Sequence, residues 1–255
     1  MQEIHKDSTD QLFERNQQTD IVVALNKGET AQTVIDSQPR TELIYSPEEI
    51  QCSDGRCPHK GNEISLAGSG ILMPRADLIK MIKDRKIKKI TMHFDCGAAR
   101  IAFADAQANG LVPEGITNAD EFGRDWGQKL ATELGLEYEY IEAEKFVAPD
   151  HHEQGIFIDA TGKLHPAMFE NWPNVFITQS ASCASPDYVA VEAAALTKIG
   201  FGDHGLGERL KTEAPFQITI ACTDNNQALA LAPKVKEMVE DYGDRAQVHT
   251  FIAPA

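Results

Sequence analysis

The sequence is short of cysteine, of positive charge and of long apolar runs, and each shortage excludes something. Five cysteines in 255 residues (Cys52, Cys57, Cys96, Cys183 and Cys222) form an odd, scattered set that does not suggest a disulfide framework. They leave reduced thiols available as metal ligands. Lysine and arginine number 24 against 39 acidic residues, a formal charge of −15. Such a surface repels phosphate backbones and anionic lipid, so no nucleic-acid or membrane partner is expected. No run reaches the roughly 18 apolar residues that a spanning helix needs. The polar stretch from Met1 to Gln18 lacks the basic start and apolar centre of a secretory signal. A cytoplasmic location is the expectation. No Gly-x-Ser-x-Gly elbow is present, and Gly68-Ser69-Gly70 lacks the Gly-Lys-Ser/Thr ending of a phosphate loop.

What is present is an ordinary globular composition, 42% apolar and 25% charged, long enough for one large α/β domain. Residues 1–255 read as a single domain, with residues 1–45 as an N-terminal arm placed to pack on a partner subunit. Ile21 to Leu25 reads as a short strand. From Glu49 onward, strands and helices alternate. Glu49-Ile50-Gln51 ends a strand, Ile64 to Leu72 reads as a second extended segment, and Arg75 to Arg85 has helical spacing after Pro74. Lys88 to Met92 is a buried strand and Ala98 to Ala108 a helix. Asp120 to Leu134, Pro186 to Lys198 and Gln227 to Tyr242 read as helices. Tyr138 to Ile141, Asn174 to Gln179, Gln217 to Cys222 and Gln247 to Ile252 read as strands. Gly155 to Asp159 resembles the first arm of a hairpin turning at Asp159-Ala160-Thr161-Gly162. No internal repeat is visible. The alternation predicts an α/β fold with a mainly parallel central sheet flanked by helices, whose sites form at the carboxyl ends of strands.

Two short motifs sit at such ends: Cys52-Ser53-Asp54-Gly55-Arg56 and His93-Phe94-Asp95-Cys96-Gly97. Two thiolates and one imidazole make a three-ligand set that suits zinc and leaves a fourth position open. Alternation along an extended segment puts Cys52, Asp54 and Arg56 on one side, which brings a carboxylate and a guanidinium near the metal.

On these motifs the chain resembles a carbonic anhydrase of the β class, whose hallmark is Cys-x-Asp-x-Arg followed by His-x-x-Cys-Gly. The match is carried by Cys52, Asp54, Arg56, His93 and Cys96, with Gly97 and Gly68 in support, over Glu49 to Ala104. The resemblance implies zinc held by Cys52, His93 and Cys96. It implies that Asp54 either accepts a hydrogen bond from the zinc-bound water or swings in as fourth ligand, and that Arg56 holds Asp54 away from the metal. It also implies hydration of CO2 to bicarbonate, and a homodimer or higher assembly with site walls borrowed from the neighbour. The gap between the motifs is shorter than the family usually shows and the C-terminal half is longer. The limiting-CO2-inducible proteins share this site type. Hydrolysis of carbonyl sulfide or carbon disulfide at the same metal stays open, as does a closed, non-catalytic site with Asp54 as permanent fourth ligand.

Other residues have plainer readings. Cys57-Pro58-His59 reads as a turn rather than further ligands, and Cys183 and Cys222 as small buried hydrophobes. His151-His152-Glu153 reads as a polar loop before a hairpin, in preference to a proton shuttle or pocket lining. His204 reads as part of a surface turn.

Overall fold

The computed structural model describes residues 8–41, 45–59, 61–202 and 204–253. The chain is α/β throughout, and its strands form two four-stranded parallel sheets in place of one central sheet. In the first, β1 (Glu49–Cys52), β2 (Ile64–Leu66), β3 (Lys89–His93) and β4 (Glu137–Ile141) lie in the order β2-β1-β3-β4. In the second, β5 (Gly155–Asp159), β6 (Phe176–Thr178), β7 (Phe216–Cys222) and β8 (Ala246–Ile252) lie in the order β6-β5-β7-β8. The topology is therefore duplicated, although the sequence shows no repeat. The two inner edges meet where Gln179 N–H donates to the Ser65 carbonyl at 3.1 Å and the Gln179 side chain accepts from Ser65 N–H at 3.0 Å.

Parallel strands need helical crossovers, and the helices bury one face of each sheet. On the first sheet, Ile50, Ile64, Leu66 and Ile90 pack against Leu78, Met81 and Ile82 of α4 (Arg75–Arg85) and Leu130 of α6 (Ala119–Leu134). Gly127 of α6 lets that helix close on β3, because a Cβ there would sit 2.6 Å from Met92 Cγ. Asn118 caps α6 by accepting from Glu121 N–H. On the second sheet, Ile156, Ile158, Ile218 and Ile220 pack against α7 (Pro186–Gly200) and α8 (Asn225–Met238).

The N-terminal segment corrects one expectation. Ile21 to Leu25 lies in helix α2 (Asp20–Asn26), because Ile21 and Leu25 fall one helical turn apart and share one buried face. With α1 (Thr9–Gln17) and α3 (Ala31–Ser37) it packs on its own chain. Ile21, Leu25, Val34 and Ile35 cover Phe157, Ala221 and Phe251 on the open face of the second sheet. Residues 1–7 and 42–44 of the expected arm lie outside the described residues.

Two strand readings also change. The segment from Ile64 to Leu72 is extended only to Leu66. Gly68, Ser69 and Gly70 then take φ of 54°, 57° and 93°, left-handed values that end a strand. No hairpin follows β5. The Asp159 carboxylate accepts from the N–H groups of Thr161, Gly162 and Leu164, and the chain crosses over to pair β6 in parallel.

Candidate metal centre

Cys52 ends β1, His93 ends β3 and Cys96 caps the N-terminus of α5 (Gly97–Ala108), so two adjacent parallel strands deliver all three side chains to one point. Their ligating atoms lie within 4.8 Å of one another, all three residues are buried, and the two sulfurs are 4.0 Å apart. Two sulfurs on one tetrahedral zinc, each at about 2.3 Å, would be about 3.8 Å apart. The His93 Nδ1–H donates to the Phe94 carbonyl at 2.8 Å, which turns Nε2 inward. Nε2 itself is buried without a hydrogen-bond partner, an orphaned atom of the kind a metal ligand leaves. The residues thus fit a metal ion.

The charges around the cluster matter to that fit. Burial, and next the Cys96 thiol, push the Cys52 thiol well above its usual value. Burial alone would lower the His93 imidazole, but its neighbours Cys52 and Asp54 outweigh it and lift His93 to about 9. A cation entering the cluster displaces those protons. The amide of Gly68 donates to Cys52 Sγ at 3.2 Å and so favours the thiolate.

Asp54 and Arg56 form a buried pair at the rim. Arg56 Nη2 donates to Asp54 Oδ2 at 2.7 Å, and its Nε reaches Oδ1 at 3.0 Å. The backbone N–H of Arg56 adds a 2.9 Å bond to Oδ1. Burial favours a neutral carboxyl, yet His151, His93 and Arg56 together outweigh it and hold Asp54 well below the usual carboxylate range. Oδ2 lies 3.6 Å from His93 Nε2, so the carboxylate borders the cluster. Arg56 is gripped in turn by the second motif. Its Nη1 donates to Asp95 Oδ2 at 3.0 Å and its Nη2 to the Asp95 carbonyl at 2.9 Å. Asp95 holds a left-handed φ of 56°, and its N–H donates to the Asp120 carboxylate at 2.7 Å. The Phe146 ring lies 4.9 Å from the guanidinium carbon.

The turn near Cys57 lies earlier, over Asp54–Cys57, closed by Cys57 N–H on the Asp54 carbonyl at 3.0 Å, and Pro58 and His59 follow it as irregular chain. His59 gains a supporting role, with Nε2 at 2.9 Å from the Asp54 carbonyl and Nδ1 at 2.7 Å from Glu63. Cys222 is buried and Cys183 half-buried, both away from the cluster. His204 is exposed, and its carbonyl accepts from His151 N–H at 3.2 Å.

The polar-loop reading of His151-His152-Glu153 is corrected: all three are buried, and His151 and Glu153 come to the first motif. His151 Nδ1 lies 3.6 Å from Asp54 Oδ1 and 3.3 Å from Glu153 Oε2, while Glu153 Oε1 accepts from Gly55 N–H. Asp54, His151 and Glu153 are close enough to resemble a second cation site. Their oxygens are already engaged by N–H donors from Arg56, Gly55 and His152, so the group reads as a hydrogen-bonded wall. Its only sign in the sequence is three adjacent ionisable residues just before the apolar run Ile156-Phe157-Ile158.

Two cavities border the motifs. One of about 530 Å³ passes Gly55, Cys57 and His59. The other, about 540 Å³, is lined by Asp95, Gly97, Arg100, His151 and Ile199. Among the described residues, no helix is long and apolar enough to cross a membrane. The chain matches no protein-family model, no curated protein and no solved structure.

Proposed function

We propose that this chain is a zinc-dependent carbonic anhydrase that interconverts CO2 and bicarbonate. The observation that carries this reading is the convergence of Cys52, His93 and Cys96 around an unpartnered His93 Nε2, with an Arg56-restrained Asp54 beside them. Bound there, zinc supplies the Lewis acidity that makes water a nucleophile near neutral pH.

The chain's own residues supply the rest. Asp54 stays ionised, so Oδ2, the oxygen that borders the cluster, can accept a hydrogen bond from the attacking water and orient its lone pair toward the carbon of CO2. Arg56 occupies the carboxylate from the other direction and opposes its collapse onto the ligand cluster. Asp95 fixes Arg56, and Phe146 shields it from solvent. The cavity past Gly97 and His151 is large enough for a small neutral gas and offers Arg100 and Lys198 at its rim for a departing anion.

The test is stopped-flow CO2 hydration on protein of known metal content, from mildly acidic to mildly alkaline pH. Activity that tracks zinc content and rises with pH is expected. One zinc per chain with no hydration would reject the assignment, and sulfide release from carbonyl sulfide would then identify the other hydrolytic substrate. Zinc without either activity would mark a closed site with Asp54 as fourth ligand.

A further inference from the structure

The duplicated topology lets the two sheets be compared position by position. Ile50 pairs with Ile64 and Ile90, and Ile156 pairs with Phe176 and Ile218, so Ile50 and Ile156 are equivalent. Counting along each strand, Cys52 corresponds to Ile158 and His93 to Ala221. Cys96 corresponds to Asp224, and both residues are the N-caps of the helices that follow. The Asp224 carboxylate is engaged in capping, accepting from Gln227 N–H at 2.9 Å. The second sheet therefore has no copy of the ligand set.

It contributes in another way. Tyr45, on the approach to β1, crosses to the second sheet, where its hydroxyl accepts from Gln179 Nε2. The segment approaching β5 makes the reciprocal crossing and carries His151 and Glu153 to the first motif. Glu153 is fully enclosed there. Its Oε1 accepts from Gly55 N–H, its Oε2 accepts from His152 N–H at 2.9 Å, and Oε1 would lie 2.9 Å from any Cβ placed on Gly55. Gly55 stands between Asp54 and Arg56, so the bond to its amide fixes the turn that aims both side chains. His151 stands between the two carboxylates, with Nδ1 facing Glu153 Oε2 and Asp54 Oδ1.

We infer that Glu153 is a positioning residue for the metal site: supplied by the sheet that binds no metal, it pins the Gly55 turn and thereby sets where Asp54 stands relative to the ligand cluster. The inference rests on Cys52, His93 and Cys96 being the ligands.

Cobalt(II) in place of zinc gives a readout independent of turnover, because its visible spectrum reports coordination geometry. Two variants are used, Glu153→Gln, which loses the second acceptor oxygen, and Gly55→Ala, which pushes Glu153 aside. Each should still bind one Co2+ per chain, with a visible spectrum shifted from the parent's. CO2 hydration should fall about 10-fold, mainly in kcat. In an Asp54→Ala background, Glu153→Gln should leave the cobalt spectrum where Asp54→Ala alone puts it, since the two act on one geometry. An unchanged spectrum and unchanged kcat in both single variants would overturn the inference. So would loss of cobalt, which would make Glu153 part of the ligand scaffold and not of Asp54 placement. A parent that binds cobalt but does not hydrate CO2 sinks only the proposed reaction, and the spectral comparison still decides the role of Glu153. A parent that binds no cobalt overturns both.

Discussion

The amide of Gly68 points at the sulfur of Cys52, 3.2 Å away, so the turn between the two motifs supports that thiol directly. That turn has no room for a side chain. Gly68 sits at φ 54°, and an added Cβ would lie 2.7 Å from Ile71 Cγ2, 2.8 Å from Ala98 Cβ and 3.4 Å from Cys96 Sγ. Gly68→Ala should therefore weaken metal binding by about 10- to 100-fold, the usual effect of disturbing a group that supports a ligand. Competition against a chromophoric chelator measures this, and parental affinity would rule the support out.

Arg56→Ala should separate metal binding from turnover. The variant leaves a buried carboxylate without its counter-ion, a loss of about 3–5 kcal/mol for a buried pair unless the charge finds another partner. A bound metal is such a partner. The variant should hold zinc as well as the parent does, yet lose at least about 10-fold in CO2 hydration as Asp54 closes the fourth position. Full turnover with zinc bound would contradict the restraining role.

Cys96 and Cys183 should behave differently on replacement by serine. Cys96→Ser removes one of three clustered donors and should abolish stoichiometric zinc, lowering the melting temperature to near that of chelator-treated parent. Cys183→Ser lies away from the cluster and should leave zinc content unchanged. Metal analysis alongside thermal melts distinguishes them. Loss of zinc from both would indicate general destabilisation.

The His59–Glu63 pair gives a stability effect with a predictable pH window. Burial opposes charge on both, but their 2.7 Å contact outweighs it, lowering Glu63 to about 2 and raising His59 above its ordinary 6.5. The Glu63 contribution is present above its unfolded value of 4.5 and drains away as pH falls toward 2. The His59 contribution is complete below 6.5 and is lost as pH rises through its higher folded value. Urea unfolding of parent and Glu63→Gln should differ most near about pH 5.5 and converge in acid and in alkali. A gap that stays constant across that range would exclude the ion pair as its source.

The candidate metal cluster is legible because each motif is local: Cys52 with Asp54 and Arg56, and His93 with Cys96, fall within a few residues at a strand end. Helices with clear periodicity, such as Arg75–Arg85, appeared at the expected bounds. Other features depended on distant partners. Ile21 to Leu25 is a short β-branched run that fits a strand equally well until Phe157 and Phe251 are there to cover. Asp95 belongs to a motif that was recognised, but its left-handed backbone and its grip on Arg56 leave no mark in composition. Glu153 meets Gly55 across almost a hundred residues of chain, and nothing local announces that contact. The duplicated topology leaves no trace in the sequence because the two sheets share strand order and not residue identity.

Residues 142–154, which lead from β4 to β5, are both the tie between the two sheets and a wall of the site. Val147 N–H donates to the Arg56 carbonyl at 2.8 Å, His151 N–H to His204, and Gln154 N–H to Asn174 at 2.9 Å. Ordinary connectors tolerate insertions because their ends stay fixed while the middle bulges into water. This one has no slack to give. A residue added between Val147 and Glu153 would leave both sheets intact and withdraw the carboxylate from Gly55, so the length of the connector is held by chemistry and not by folding.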